Sequence, residues 1–419
     1  MRPRAALVFA LAFVPLPAAE KSHLDFRAEA AAAYQRKDFL AAKSATVAAL
    51  ALRPDSPRYL HNLAALSVLT GDEPAALAAL RRLAALGVAP ALERDPDLAP
   101  LQGTPAFRLI LQQFAANREP QGEAEVLAEL PGRTGITEGI AFRARTGDLF
   151  FSDVYHRGIW RRDRTGQVLR FSAEDEEILG VFGLALDEPR RALWATLAAV
   201  PEMAGFTAEQ KDRTALAEFD LGTAELRQIV PLSGDGRAQA LGDLAVTEDG
   251  TVYATDSKAP VIWKLALGAE EFEKAAESPL FSSLQGIVLK DRRLIVADYA
   301  NGLFAVDLAS GQVRALAAPK DTTLLGLDGL VGIPGGLIAT QNGTEPQRVL
   351  RITLTPAGDA ITGVSVLASG LPHLTDLTLL TLVNDRPVVI AGSGWELFDS
   401  TKATAPRAHT VRIFQIALP

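Results

Sequence analysis

The sequence predicts a mainly β protein, a six-bladed β-propeller preceded by a small α-helical domain. From about residue 123 onward, short Val, Ile, Leu and Phe segments alternate with Gly and Asp turns, which is typical of β-strands. The pattern recurs six times at intervals of 43 to 60 residues, close to the length of a four-stranded propeller blade. Residues 24–118 instead carry Ala, Leu and Arg at helical spacing. The alternative for the β part is another sandwich or barrel.

The composition limits the classes of protein to be considered. The chain has 419 residues, a formal net charge of −8 and 48% hydrophobic residues, which suffices for a core and excludes wholesale disorder. An acidic balance without a long Lys/Arg run argues against a nucleic-acid partner, whose phosphates require a basic face. The absence of cysteine excludes thiolate catalysis, Cys-based metal sites and disulfides. No phosphate-binding loop, dinucleotide-binding glycine motif or Gly-x-Ser-x-Gly motif is present.

The N-terminal segment has the charge, apolar and small-residue order of a secretory signal peptide. Arg2 and Arg4 precede an apolar run at residues 5–14, and two alanines at 18–19 follow. The run is shorter than the roughly 20 residues that a membrane-spanning helix needs, and no other stretch could span a bilayer. We therefore expect a signal peptide at residues 1–19 and export to the periplasm or outside the cell. The alternative is an Ala-rich first helix of the domain.

Residues 22–118 contain a repeat with a period of 34 residues. Ala42 in one unit corresponds to Ala76 in the next, where two helices would cross. The period and the small residues resemble the tetratricopeptide repeat, although Phe26 and Leu60 stand where that family carries Trp. Two units and a cap are about the least that such a solenoid needs to be stable. The domain would bind a peptide or partner protein, or serve a purely structural role; a generic pair of helical hairpins is the alternative.

The linker and the propeller follow the helical repeats. Segment 119–136 has linker composition and contains Glu123 to Leu130, which would close the ring beside a last strand near the C-terminus. The propeller then spans residues 137–419. Each unit opens with an apolar element, then a turn, then an apolar strand that ends near Asp or Thr. The six units begin at Glu138, Phe182, Gly242, Gln285, Asp328 and Thr375.

The first residue of each unit is a candidate site residue. The innermost strand of a propeller blade begins at the mouth of the central channel, so these six residues would converge there. Glu138, Gln285 and Asp328 are hard oxygen donors with a net charge of −2, and such donors suit Ca²⁺, Mg²⁺ or Mn²⁺. The alternative is that the two carboxylates are bonded to backbone N–H groups or water.

From Glu138 to the C-terminus the sequence resembles the senescence marker protein/gluconolactonase (regucalcin-like) family, and more distantly the strictosidine synthase-like propellers. The segments that carry the resemblance are TEGIAF, FFSDVYHRGIWRRD, GDLAVTEDGTVYATDS, LQGIVLKDRRLIVADY, GLDGLV and LIATQNG. The resemblance implies one divalent metal ion in the channel, with Ca²⁺ favoured over Mn²⁺, Mg²⁺ or Zn²⁺. It implies Glu138 and Asp328 as ligands, together with Gln285, which stands where the family has Asn. The family's substrate-side Asn is Gly242 here, followed by Asp243.

The resemblance implies a metal-dependent hydrolase of lactones or related esters, with a small-molecule substrate and water activated at the metal. Asp328 would take the proton from the attacking water, and Phe182, Asp243 and Thr375 would contact the substrate. The alternative function is a non-catalytic propeller and helical-repeat protein that binds a ligand or partner protein in the cell envelope. Gln285 and Gly242 both stand where the family has Asn, and these two departures from the family pattern keep both functions open. Asp243 has the further alternative of bonding backbone groups in its own turn.

Overall fold

The predicted fold class is confirmed: the structure is a six-bladed β-propeller with a small helical region before it. The structure is a computed structural model that describes residues 21–234, 236–398 and 404–418. The predicted signal peptide at residues 1–19 lies outside these ranges. Among the helices within them, none is long and apolar enough to cross a membrane.

The helical region consists of two antiparallel helix pairs and a further helix. The helices are α1 (His23–Gln35), α2 (Phe39–Leu52), α3 (Pro57–Leu69), α4 (Glu73–Ala85) and α5 (Pro105–Arg118). Their N-cap side chains accept a hydrogen bond from the backbone three residues on, which stabilises the first turn; they are Ser22, Asp38, Ser56, Asp72 and Thr104. Ala42 and Ala76 are fully buried, as the spacing of the repeat predicts for residues between helices. The specific identity of a tetratricopeptide repeat stays a prediction.

Twenty-five strands in the described ranges form six antiparallel sheets. Strands β1 (Gln121–Gly122) and β2 (Ala124–Arg133) follow the helices. Blade I holds β3 (Thr137–Arg143), β4 (Asp148–Asp153), β5 (Gly158–Arg162) and β6 (Val168–Arg170), and blade II holds β7 (Gly180–Asp187), β8 (Ala192–Ala198), β9 (Thr214–Asp220) and β10 (Leu226–Pro231). Blade III holds β11 (Leu241–Val246), β12 (Val252–Asp256), β13 (Val261–Leu265) and β14 (Glu273–Glu277), and blade IV holds β15 (Leu284–Lys290), β16 (Arg293–Asp298), β17 (Gly302–Asp307) and β18 (Val313–Leu316). Blade V holds β19 (Leu327–Ile333), β20 (Gly336–Gln341), β21 (Arg348–Leu354) and β22 (Ile361–Ser369), and blade VI holds β23 (Leu380–Val383), β24 (Arg386–Ala391) and β25 (His409–Ile416).

The ring is closed by strands from both ends of the propeller. Strand β2 pairs antiparallel with β25, so that Glu125 lies opposite Gln415 and Leu130 lies opposite Val411. Strand β1 adds to the outer edge of blade V beside β22. Blade VI therefore combines the first long strand with the last one, and backbone hydrogen bonds hold the ring together.

The apolar core lies between neighbouring blades. Phe150 of blade I packs edge-on against Phe171 with ring centroids 5.0 Å apart, and Phe219 of blade II joins the same cluster. A corresponding cluster joins Ile413 of blade VI to Phe151 of blade I across the closure. Each interface buries apolar side chains on both faces of a sheet, so the six blades fix the start of every innermost strand around the channel.

The helical region is attached to blades IV and V by polar contacts. Asn301, in the turn between β16 and β17, accepts hydrogen bonds through Oδ1 from His23 Nε2 (2.8 Å) and from Arg53 Nη2 (2.7 Å). On blade V, the buried Arg348 donates to the Leu86 carbonyl oxygen at the end of α4 (3.1 Å). These contacts place the starts of α1 and α3 beside the loops of blades IV and V.

Candidate functional site

The structure brings five of the six predicted site residues together in one cavity at the channel mouth. The cavity has a volume of about 420 Å³. The predicted residues that line it are Glu138, Phe182, Asp243, Gln285 and Asp328. They come from blades I to V, so only closure of the ring brings them together.

A repeated β-bulge aims these side chains toward the channel. In blade I the pairing register shifts between Thr137 and Ile140, and the Gly139 N–H donates to Ser152 Oγ of the next strand (2.6 Å). A Cβ atom on Gly139 would lie 2.2 Å from the Phe182 carbonyl oxygen, so only glycine fits there. A bulge turns a residue out of the regular ladder. Register shifts recur at the same place in blades II, III, IV and V.

Blade VI differs, and the structure does not bring Thr375 into the cavity. Thr375 is exposed, and its neighbour Asp376 lines the cavity instead. Strand β23 begins at Leu380 and pairs with β24 without a register shift. The side chain that meets the start of blade I is that of Thr378, whose hydroxyl donates to the Thr137 carbonyl oxygen (3.4 Å). The start of this unit therefore lies three residues later than the sequence pattern predicts.

Three carboxylates in the cavity have raised pKa values. Burial raises the pKa of Asp243 to about 7 and that of Asp328 to about 6. Burial, followed by the charge of Asp328, raises the pKa of Glu138 well above its ordinary value. Lys258 also lines the cavity, but its ammonium group pairs with Asp212 Oδ1 (3.2 Å). The site is therefore acidic, and its carboxylates resist being charged together.

Two residues that the sequence pattern did not select hold the carboxylates in place. Trp395, in a short 3₁₀ turn after β24, donates its indole N–H to Glu138 Oε2. Asn342, directly after β20, donates through Nδ2 to Asp328 Oδ2 (2.6 Å) and to the Leu377 carbonyl oxygen (2.8 Å). Both partners of Nδ2 are acceptors, which fixes the orientation of the amide. Among the described residues, the buried Asn342 Oδ1 has no hydrogen-bond partner.

Asp243 and Gln285 have local partners as well. Asp243 accepts hydrogen bonds from the backbone N–H of Leu244 (2.9 Å) and of Ile287 in the next blade (3.3 Å). Gln285 donates through Nε2 to Ser283 Oγ (3.2 Å). The bonds of Asp243 include one within its own strand, which is the backbone role that its sequence position also suggested.

The donor set fits a hard divalent cation. Within the part of the chain that the structure describes, no three His, Cys, Asp or Glu side chains are grouped to hold a metal. The lining residues offer carboxylates on Glu138 and Asp328 and carboxamide oxygens on Gln285 and Asn342. An unbonded buried oxygen such as Asn342 Oδ1 costs about 1–3 kcal/mol. A cation would bond to it and also relieve the repulsion between the carboxylates, and oxygen donors are what Ca²⁺ and Mg²⁺ prefer.

An apolar wall stands on one side of the cavity. The rings of Phe182 and Trp395 lie with centroids 6.3 Å apart and planes inclined by 35°. Leu377 and Leu379 of blade VI also line the cavity. The site therefore combines acidic oxygen donors with an apolar surface, as small-molecule sites commonly do.

No protein-family model and no curated protein matches the sequence. Solved structures similar to this one include a luciferin-regenerating enzyme, at 14% identity over 71% of this chain and 95% of that chain, with a TM-score of 0.49. They also include a gluconolactonase from Xanthomonas campestris, at 16% identity over 73% of this chain and 93% of that chain, with a TM-score of 0.49. A third is the PQQ-bound aldose sugar dehydrogenase from Streptomyces coelicolor, at 15% identity over 71% of this chain and 99% of that chain, with a TM-score of 0.48. These likenesses concern the fold alone.

Proposed function

We propose that the protein is a metal-dependent hydrolase of lactones or related esters, with its active site in the channel-mouth cavity. The observation that supports this most is the convergence of Glu138, Asp243 and Asp328 beside Asn342, whose buried oxygen has no partner in the part of the chain that the structure describes. The charge of Asp328 raises the pKa of both other carboxyls, so the three groups interact across the cavity. Buried, interacting carboxylates in a concave site are typical of functional sites. The sequence resemblance to the gluconolactonase family points to the same class of reaction.

Glu138, Gln285 and Asp328 would hold the cation, and Asn342 Oδ1 would be a further ligand. Ca²⁺ is the favoured ion, since all of these donors are oxygens. When bound, a divalent cation supplies polarisation of the substrate carbonyl and lowers the pKa of a coordinated water. The indole of Trp395 and the amide of Asn342 would position the carboxylates of Glu138 and Asp328 through the bonds that they donate.

Each side chain of the cavity would then have a separate role in hydrolysis. The water oxygen forms a bond to the carbonyl carbon, the ring C–O bond breaks, and the leaving alkoxide becomes a hydroxyl group. Asp328 would accept the proton of the attacking water and return a proton to the alkoxide. Phe182 would contact the apolar face of the ring, and Asp243 would accept hydrogen bonds from substrate hydroxyls. The product is a hydroxy acid.

Export to the periplasm or outside the cell, and a partner bound by the helical region, are expectations that accompany this proposal. The segment that would direct export, residues 1–19, lies outside the described residues. A peptide or protein partner on the helical repeats stays a prediction from the sequence.

The proposal is tested by metal content and by hydrolysis measured on the same preparation. We expect the purified protein to bind one Ca²⁺ per chain and to hydrolyse at least one member of a lactone and ester panel. The double variant Glu138→Gln/Asp328→Asn should lose both the ion and the hydrolysis. The matched control is Glu174→Gln/Asp321→Asn, which removes the same charges from side chains that are 88% and 61% exposed.

Failure of Ca²⁺, Mn²⁺, Mg²⁺ and Zn²⁺ to bind would overturn the hydrolase proposal. Equal loss of activity in the control variant would also contradict it, because the effect would then not come from the channel mouth. With no bound ion and no hydrolysis, the alternative of a ligand- or partner-binding propeller would be favoured.

A further inference from the structure

A second, smaller cavity lies between the helical region and the propeller, directly beside the first. Its volume is about 150 Å³, and the starts of α1 and α3 form one wall. Tyr299, in the turn after β16, lines both this cavity and the channel-mouth cavity. We refer to the second cavity as the lip cavity. The helical region therefore extends the channel mouth sideways.

The wall of the lip cavity that comes from the helices is cationic. Arg27 of α1 and Arg58 of α3 both line it. Both are exposed, and among the described residues neither guanidinium has an ion-pair or hydrogen-bond partner. Both charges act on one group: burial raises the pKa of Tyr59, and the charges of Arg27 and Arg58 both lower it. Two guanidinium groups that have no partner among the described residues therefore line this cavity.

The acidic cavity and the cationic wall meet at Tyr299. Burial and the charge of Asp328 raise the pKa of Tyr299 to about 12, while the charge of Arg58 lowers it. The phenol of Tyr299 therefore interacts electrostatically with the carboxylate of Asp328 and with the guanidinium group of Arg58. At neutral pH this hydroxyl stays protonated and can donate a hydrogen bond to a ligand.

The position of the arginines is fixed by the attachment of the helices. His23 and Arg53 both donate to Asn301 Oδ1, two residues after Tyr299 in the chain. Ser56 caps α3 by accepting from the Tyr59 N–H, and Pro57 begins the helix directly before Arg58. Arg58 thus projects from the start of a capped helix that is held against blade IV.

We propose that the lip cavity is an anion-binding subsite, so that the substrate is a lactone or ester that carries a carboxylate or phosphate group. The inference rests on the function proposed above. The anionic group binds Arg58 and Arg27, and the reactive carbonyl lies in the channel-mouth cavity across Tyr299. The carboxylates of the channel mouth repel an anion, so the two cavities together fix the orientation of such a substrate. Guanidinium groups bind carboxylate and phosphate groups with paired, charge-assisted hydrogen bonds.

The subsite is tested first by binding, without hydrolysis. The probes are D-glucarate and glucose 6-phosphate as anions and D-glucitol as the neutral control, titrated by calorimetry in the presence of a chelator. We expect Arg58→Gln to weaken binding of at least one anion by about tenfold or more, because the paired, charge-assisted hydrogen bonds of the guanidinium group are lost. Arg58→Lys should retain part of the affinity. Arg81→Gln, which removes an exposed charge from α4, should behave as the wild type.

The kinetic test compares a carboxylate-bearing lactone, glucaro-1,4-lactone, with the neutral glucono-1,5-lactone. Arg58→Gln should raise KM for the first about tenfold and leave kcat/KM for the second unchanged. Equal anion binding by Arg58→Gln and Arg81→Gln would overturn the subsite, even if lactones are hydrolysed. Arg58-dependent anion binding without hydrolysis of any lactone would support the subsite and contradict the proposed reaction.

Discussion

Asn342 donates one amide hydrogen to Asp328, while its own carbonyl oxygen, in the lining of the acidic cavity, has no hydrogen-bond partner among the described residues. The two residues belong to the same blade, one at the start of β19 and one directly after β20. A side chain that restrains a carboxylate and presents a free oxygen beside it is suited to complete the coordination of a cation.

The first prediction concerns this oxygen. Asn342→Ala should weaken Ca²⁺ binding by about tenfold or more, since both the oxygen donor and the bond that orients Asp328 are lost. Asn342→Asp should lower the stability of the metal-free protein, because it adds a further acidic group to a cavity that already holds four, and should retain Ca²⁺ binding. Calorimetric titration with Ca²⁺ measures the affinity, and thermal unfolding in a chelator measures the stability. Unchanged Ca²⁺ affinity in Asn342→Ala would show that this oxygen is not a ligand.

The second prediction concerns the dependence of stability on pH. The pKa of Asp243 is about 7 in the folded protein, against an ordinary value of 3.8. The raised pKa means that its contribution to stability is present below about pH 4 and is lost as the pH rises through 7. The side chain of the Asp243→Asn variant cannot become charged. In the presence of a chelator, the change that this substitution causes in the free energy of unfolding should therefore be more favourable at pH 8 than at pH 5, by roughly 2 kcal/mol.

The control for Asp243 is Asp321→Asn, an exposed residue that also carries the change from acid to amide. Its effect should be the same at both pH values. Chemical denaturation at pH 5 and pH 8 measures both variants. A pH-independent effect of Asp243→Asn would mean that burial does not disfavour the charged form at this position.

The third prediction concerns the attachment of the helical region. Burial lowers the pKa of His23 below its ordinary value of 6.5, and the charges of Arg53 and Arg27 add to this, while the bond to Asn301 and the charge of Asp298 oppose it. The stabilising contribution of neutral His23 is therefore present above about pH 6.5 and is lost as the pH falls toward the lowered pKa. His23→Gln retains an N–H donor for Asn301 but does not titrate.

Between pH 7 and pH 5 the wild type should accordingly lose more thermal stability than His23→Gln. The midpoint of thermal unfolding, measured at half-unit steps of pH, checks this. His373→Asn, which changes an exposed histidine in a loop of blade VI, serves as the control and should follow the wild type. If the pH profiles of wild type and His23→Gln coincide, the histidine does not remain neutral in this interface.

The six blades and the helical hairpins were predictable because their signals are local. Alternating apolar residues between turns predict strands, and the 34-residue spacing that places Ala42 and Ala76 in buried positions predicts helix pairs. The first residue of the unit also predicted the cavity lining in five blades, since the bulge that aims Glu138 recurs at each of them.

The remaining site residues have no comparable signal. In blade VI, Leu379 precedes β23 and no register shift follows, whereas blades I, II and V carry Gly at their bulges, so the pattern selected Thr375 and missed Asp376. Trp395 of blade VI donates to Glu138 of blade I across the ring closure, although the two residues are 257 positions apart in the chain. The contact of the helices with Asn301 depends on how the helical region packs against the propeller. A single asparagine in a turn carries no sequence signal for that packing.

The last prediction tests the closure of the ring. Ile413 of β25 is fully buried between Ala128 of β2 and Ile390 of β24, in the core shared by blades VI and I. Ile413→Ala should lower the free energy of unfolding by about 3 kcal/mol, because it leaves a cavity where the two ends of the propeller join. Val126→Ala, on the neighbouring strand at a side chain that is 49% exposed, should cost less than about 1 kcal/mol. Denaturant unfolding measures both variants. Because only the closed ring brings the channel-mouth residues together, Ile413→Ala should also weaken Ca²⁺ binding at temperatures near its unfolding midpoint, whereas Val126→Ala should not. Equal costs for the two variants would show that blade VI does not depend on this core for closure.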